Sequence, residues 1–347
     1  MKTVYTFMNF VAASFILMMP HTAMASDSLA SRYIALAIQG DLSSASSMLQ
    51  EENAGAEPTA VTLREKFDQR FLSPKATDAE ITASGFLDGI TLAYEEYWKS
   101  SLLDGSSRGG HLATLESRLS AILRRFYGTR SNEDSVFDGL HRVLASRGTH
   151  FLESPDFPLR DLFLWQSEEL ATYTVQLTDK RLVLKIHFMD DFLLQGWKDY
   201  ASLGLATTTG WVEDGELYCI AWAYDTHSEN FEVSYLKHEG RHLLDLERYP
   251  NMESTELEYR AKLTELAFAD RSLKRVLDDF TAKAAHNPDS PHAMANWRVV
   301  RDVHWALYGE ELPENFVQWG YLDTGKINRL ARELLALNSL THQSVDS

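Results

Sequence analysis

One stretch constrains this chain more than any other: Val233-Ser-Tyr-Leu-Lys-His238-Glu239-Gly240-Arg241-His242-Leu-Leu-Asp245. It contains H-E-x-x-H, and as an α-helix it sets His238 and His242 one turn apart on the same face. Two imidazoles so placed can both reach one Zn²⁺, which favours nitrogen ligands in a tetrahedral shell. Glu239 then lies beside the metal, where a carboxylate can take a proton from water as general base. Read without a metal, the same residues make a helix with two partly buried histidines and a surface glutamate.

A catalytic zinc usually keeps three protein ligands and one open position, so a third ligand is expected further along. After Tyr249-Pro250-Asn251 the chain breaks. It restarts at Ser254-Thr255-Glu256-Leu-Glu258-Tyr-Arg-Ala-Lys262-Leu-Thr-Glu265-Leu, a capped segment with an apolar stripe. Here the chain resembles the zincin metallopeptidases of the glutamate-ligand branch, the gluzincins. In that family a second helix supplies the third ligand, often within E-x-x-A-D or E-x-x-x-D. Glu258-Tyr259-Arg260-Ala261-Lys262 matches this as E-x-x-A with Lys262 in the last place, sixteen residues after His242. The resemblance thus implies His238, His242 and Glu258 as metal ligands, with Glu256 and Glu265 as rivals to Glu258. Glu256 points roughly 200° away from Glu258 on a helical wheel, and Glu265 shares its face about two turns on. Two residues depart from the family pattern: Arg241, where an uncharged residue is usual, and Lys262, where an acid is usual. Asp245 has two readings. It accepts an imidazole N–H from a ligand histidine, or it pairs with Arg241 or Arg248.

The beginning of the chain reads as an export signal. Lys2 is its charged region, Phe10 to Met19 its apolar core, and Ala23-Met24-Ala25 its small-x-small cleavage site. Ten apolar residues are too few to span a bilayer, so stable membrane insertion is not expected. The mature protein is expected from near Ser26, in the periplasm or the medium. Without Lys2 it carries 32 basic and 50 acidic residues, a formal charge of −18 against −17 for the whole chain. Nucleic acid and anionic lipid both need a basic footprint, so neither is an expected partner. Cys219 is the single cysteine, which excludes an intramolecular disulfide. It lies in an apolar run and reads as a core residue.

The pattern predicts an α+β chain. Residues 26–155 form a helical region, residues 156–338 a zincin-like metal-binding domain, and residues 339–347 a flexible tail. Helices are expected over 33–49, 63–72, 78–103, 112–126 and 135–144. The period then changes to two. Tyr173 to Phe188 reads as a hairpin around Thr178-Asp179-Lys180, and Asp190 to Leu203 as a short helix. Thr207–Val212 and Leu217–Tyr224 form a second hairpin with Asp214-Gly215 turn chemistry. By the resemblance, a small, mainly antiparallel sheet precedes the H-E-x-x-H helix. The strand Thr207–Val212 is then the edge that pairs with an extended peptide, or else it is an ordinary hairpin strand. Helices follow over 272–285, 293–308 and 326–337.

The function expected from these residues is an exported zinc-dependent hydrolase acting on a peptide or protein substrate. His292, His304, Tyr249 and Tyr259 are candidate donors to a reacting oxyanion, His292 first because it opens a helix. The alternative is a non-catalytic exported protein with a structural metal site, Asp245 being the natural fourth ligand, or with a partner-binding role. A helical scaffold without metal is the third reading.

Overall fold

The computed structural model describes residues 28–51, 58–128, 135–154, 158–288, 290–316 and 318–345. The segment expected to be an export signal, with its expected cleavage site near Ala25, lies outside these residues. The fold is mixed α+β. The described residues divide into two compact units, one drawn from 28–169 and 189–209, the other from 170–188 and 210–345.

The first unit is mainly helical. Its helices are α1 (Leu29–Ala37), α2 (Leu42–Glu51), α3 (Pro58–Phe67), α4 (Asp78–Ala83), α5 (Phe86–Leu103), α6 (Arg108–Tyr127) and α7 (Val136–Ser146). The expected helices over 33–49 and 78–103 are each broken in two. Gly40 at φ 77° stops the first, because a left-handed residue ends the ladder there. The second is interrupted at Ser84-Gly85, where Ser84 turns extended and Gly85 caps α5. After α3 the backbone continues as one π-helical turn, Asp68–Leu72. The core of the unit joins Tyr33, Phe67 and Phe71 to Ile90, Tyr94 and Trp98 of α5 and to Trp197 and Tyr200. Helix α7 opens on a reciprocal cap between Ser135 and Asp138.

The sheet holds β1 (His150–Ser154), β2 (Asp161–Gln176), β3 (Arg181–Gln195), β4 (Gly210–Glu213) and β5 (Glu216–Ile220), in the order β1-β2-β3-β5-β4. Strand β1 lies inside the region expected to be helical. It pairs antiparallel with β2 from His150↔Trp165 to Ser154↔Asp161. The expected hairpin turn at Thr178-Asp179-Lys180 is present, closed by the Leu177 N–H on the Lys180 carbonyl. Both strands run well past their expected ends. Because β3 continues to Gln195, the expected helix over 190–203 shrinks to α8 (Gly196–Ala201). The change of direction occurs at Gly196, at φ 83°. Asp161 fixes it by accepting from the Trp197 N–H at 2.8 Å and the Leu162 N–H at 2.9 Å. Strands β4 and β5 pair antiparallel across Asp214-Gly215, both with positive φ, the backbone a two-residue hairpin requires. The strand expected over 207–212 is thus β4 alone, and it is the last strand of the sheet.

The second unit is completed by a π-helical stretch, Asn230–Lys237, that runs into α9 (His238–Arg248). It continues with α10 (Ser254–Phe268), α11 (Leu273–Ala282), α12 (Pro291–Tyr308) and α13 (Thr324–Val345). Tyr249 leaves the helical region just before Pro250, which ends α9 where proline disfavours helix. Helix α10 starts without a side-chain cap, contrary to expectation. Nor does it bury one stripe only: residues 257 to 267 are buried on every face. The tail expected beyond Leu337 is helical to Val345. There Arg260 reaches Asn338 and Ser339, and Glu256 accepts from Asn338, so polar residues of this turn have partners in the unit. Cys219 is fully buried in β5, and burial pushes its thiol up to about 12, in keeping with a core residue. Among the described residues no helix is long and apolar enough to cross a membrane.

Gly196 gives a direct test of the β3–α8 junction. A Cβ there would lie 2.8 Å from the Phe163 ring and 2.9 Å from Asp161 Oδ1, on a backbone that side chains avoid. Gly196→Ala is expected to lower the free energy of unfolding by about 2–4 kcal/mol, read from denaturant melts.

Candidate metal centre

Helix α9 is short, and it buries His238, Glu239, Gly240, Arg241, His242, Leu244 and Asp245. At Gly240 the helix faces the β2–β3 hairpin, with Leu177, Leu182 and Leu184 at 3.5–3.9 Å from where a Cβ would stand, the distance of ordinary packing. Helix α10 packs against α9 and brings Glu258 to the two histidines. His238 Nε2 and His242 Nε2 are 3.0 Å apart. Glu258 Oε1 lies 3.3 Å from His242 Nε2, and Oε2 lies 3.6 Å from His238 Nε2. All three residues are buried, and together they form the one set of His, Cys, Asp and Glu side chains among the described residues that could hold a metal ion.

These separations have the scale of a coordination shell. Ligands about 2.0–2.1 Å from a tetrahedral centre stand about 3.3 Å from one another. Two imidazole nitrogens facing each other at 3.0 Å share at most one proton, and His242 Nδ1 has no hydrogen-bond partner among the described residues, while the Glu258 oxygens have ion-pair contacts with His242, His292 and Lys262 but no well-aligned hydrogen bond. Buried polar atoms left this way are costly, and a cation between the three side chains would satisfy the facing nitrogens and the carboxylate together. The residues present therefore fit a metal ion.

The remaining expected residues divide into those brought to the cluster and those held elsewhere. Glu265, expected as a rival ligand, instead accepts from His238 Nδ1 at 2.7 Å. That contact fixes the ring and leaves Nε2 to face the cluster. Burial opposes a charge on His238, but the Glu265 hydrogen bond and the charges of Glu265, Glu258 and Glu239 hold its pKa above the ordinary value. Glu258 shows the reverse balance. Burial would raise its carboxyl, yet His242 and His292 hold it well below the usual range. Glu256, the other rival, pairs with Arg298 at 2.6 Å, with Asn338 and with His342 at 3.3 Å, and not with His238 or His242.

Asp245 does not touch an imidazole. Arg260 grips both its oxygens, Nε at 2.7 Å and Nη2 at 2.9 Å, and Arg241 Nη1 adds a third contact at 3.3 Å. Of the two readings of Asp245, the pairing with Arg241 is the one found, with Arg260 in place of Arg248, so it neither orients a ligand histidine nor stands as a fourth ligand. Both of its oxygens are committed to guanidinium donors. Arg241 likewise turns from the cluster, donating to Asp179 at 2.6 Å, Thr178 at 3.0 Å and Thr264 at 3.2 Å. Its charge in the motif is thus answered by Asp179 and Asp245, not by the metal ligands. Asp179 also accepts from Arg248. Although burial works against it, Arg241 and Arg248 hold the Asp179 carboxyl far below its ordinary value.

Lys262 is buried with its Nζ 3.7 Å from Glu258 Oε2 and 4.9 Å from the Phe280 ring. His292 stands in the first turn of α12 beside Pro291, with Nδ1 2.8 Å from Glu258 Oε2 and about a third of its side chain exposed. The other oxyanion candidates are elsewhere. The Tyr259 hydroxyl donates to Asp302, His304 packs against Phe316 and Trp319, and Tyr249 packs against His342. Glu239 follows His238 in the same helical turn, is buried, and acts on His238 through its charge.

The Glu265 contact is testable apart from any activity. Glu265→Gln is expected to weaken Zn²⁺ affinity about 10–100-fold, measured by chelator competition, with the helical circular dichroism unchanged. No protein-family model, curated protein or solved structure matches this chain.

Proposed function

We propose that this protein is an exported zinc-dependent hydrolase of the zincin kind, cleaving peptide bonds. One observation carries the reading: two histidines and a glutamate from successive helices converge on one buried point, with no fourth ligand in the set among the described residues. A zinc ligated by three residues keeps a position for water or substrate, whereas a structural zinc is closed by four. Zn²⁺ in such a place supplies a Lewis acid that polarises a carbonyl oxygen.

The protein's own groups then divide the work. Glu239 takes a proton from the attacking water and passes it to the leaving amine. Glu265 holds the His238 ring through Nδ1, at 2.7 Å. His292 engages Glu258 through Nδ1, and as an imidazolium, with both ring nitrogens protonated, it would present Nε2–H to an oxyanion. Strand β4, at the end of the sheet, offers its open edge to an extended substrate backbone. The export signal and the −17 charge fit an extracytoplasmic protein whose partner is a peptide and not a nucleic acid.

A second reading draws support from Lys262. A buried ammonium 3.7 Å from Glu258 answers part of that carboxylate's charge without any metal. In that reading the cluster ties α9, α10 and α12 together in a non-catalytic protein. Glu239→Gln separates the two. Under the hydrolase reading it keeps one zinc per chain and loses about 10²–10⁴-fold in turnover on a peptide library. Undiminished peptide cleavage by this variant would rule out Glu239 as the base.

A further inference from the structure

The helical unit contains a polar cavity of about 480 Å³, and its charged and polar lining comes from Lys66, Gln69, Arg70, Ser73, Glu96 and Lys99. Its size falls within the range of about 300–1,000 Å³ common for small-molecule sites. The π-helical turn Asp68–Leu72 carries Gln69 and Arg70 to one wall, and α5 carries Glu96 and Lys99 to the other.

Its charges are incompletely answered. Lys99 is 3 % exposed, yet its ammonium makes one hydrogen bond among the described residues, to the Ser73 carbonyl at 2.8 Å. Glu96 is 8 % exposed. Its Oε1 accepts from the Ala76 N–H at 3.0 Å, while Oε2 is buried with no partner. Arg70 donates to the Tyr200 carbonyl at 3.1 Å and lies over that residue's ring. Glu95 also borders the cavity. Burial, with Glu96 nearby, pushes its carboxyl above its ordinary value, against the pull of Arg70. A buried ammonium and a buried carboxylate oxygen with donor and acceptor capacity to spare are expensive in a folded protein unless water or a ligand completes them.

We propose that this cavity binds a free amino acid with a polar side chain. Lys99 and Arg70 receive its carboxylate, with the exposed Lys66 adding a third positive charge at the rim. Glu96 Oε2 receives its ammonium, and Gln69 and Ser73 its side chain. The two signs of charge select a zwitterion. A simple anion would face Glu95 and Glu96, and a simple cation would sit among Lys66, Arg70 and Lys99. The proposal uses none of the residues of the metal cluster and does not depend on the hydrolase reading.

Calorimetric titration of the mature protein with L-glutamine tests it, beside N-acetyl-L-glutamine and L-glutamine amide, each lacking one of the two charges. The expected result is saturable binding of L-glutamine, with each blocked form at least about tenfold weaker. Glu96→Gln and Lys66→Ala are each expected to weaken binding about tenfold with the circular dichroism intact. Because Lys66 is on the surface, its variant stays informative if Glu96→Gln fails to fold. No binding up to about 10 mM, or equal affinity for the N-acetyl form, would overturn the proposal.

Discussion

The buried pairing of Asp245 with Arg260 holds the two metal-cluster helices in register. Asp245 lies on α9 three residues past His242, and Arg260 lies on α10 two residues past Glu258. The bidentate contact between them therefore fixes where Glu258 arrives relative to the histidines. Both side chains are fully buried, so their desolvation cost is met only by this geometry and by the further donors around it. Arg241 extends the network to the β2–β3 turn through Asp179 and Thr178, and Arg260 extends it to α13 through Asn338 and Ser339. Removing one partner of such a buried pair typically costs about 3–5 kcal/mol, because the other charge is stranded. The scaffold of the cluster is thus electrostatic as much as apolar. That is why α10 can be buried on every face while carrying Glu258, Arg260, Lys262 and Glu265.

The same network shows where the two charged residues at odds with the resemblance, Arg241 and Lys262, find their partners. An arginine inside H-E-x-x-H is tolerated because its guanidinium leaves the metal side of the helix for Asp179 and Asp245. With Lys262 where an acid would orient a histidine, that task passes to Glu265, about two turns beyond Glu258 along the same helix face. Lys262 itself comes to rest between Glu258 and the Phe280 ring, where the carboxylate and the aromatic face both favour its charge.

What is legible in the sequence is what is local. His238 and His242 share a face by helical period alone, and the E-x-x-A match sixteen residues on selects the glutamate that the structure brings to them. The Asp214-Gly215 hairpin and the Ser135 cap are likewise set by adjacent residues. Asp245 stays ambiguous in the sequence because imidazole and guanidinium are both reasonable donors to a carboxylate, and only the packing of α9 on α10 decides between them. Glu265 and Ser339 owe their partners to packing between elements distant in sequence. The signal that could find Glu265 is its seven-residue step from Glu258, which keeps both on one helix face. Strand β1 and the far half of β3 escape the sequence for a related reason. His150–Ser154 is short and alternates weakly, and β3 carries polar residues Asp190 and Asp191 that read as a strand end until its partners are known.

The central claim is that His238, His242 and Glu258 hold a zinc ion. Elemental mass spectrometry of the purified mature protein, wild type beside His242→Ala, tests it most directly. The account predicts about one zinc per chain in the wild type and its loss in the variant. A wild-type protein without zinc after reconstitution, or a variant that retains a full equivalent, would contradict it.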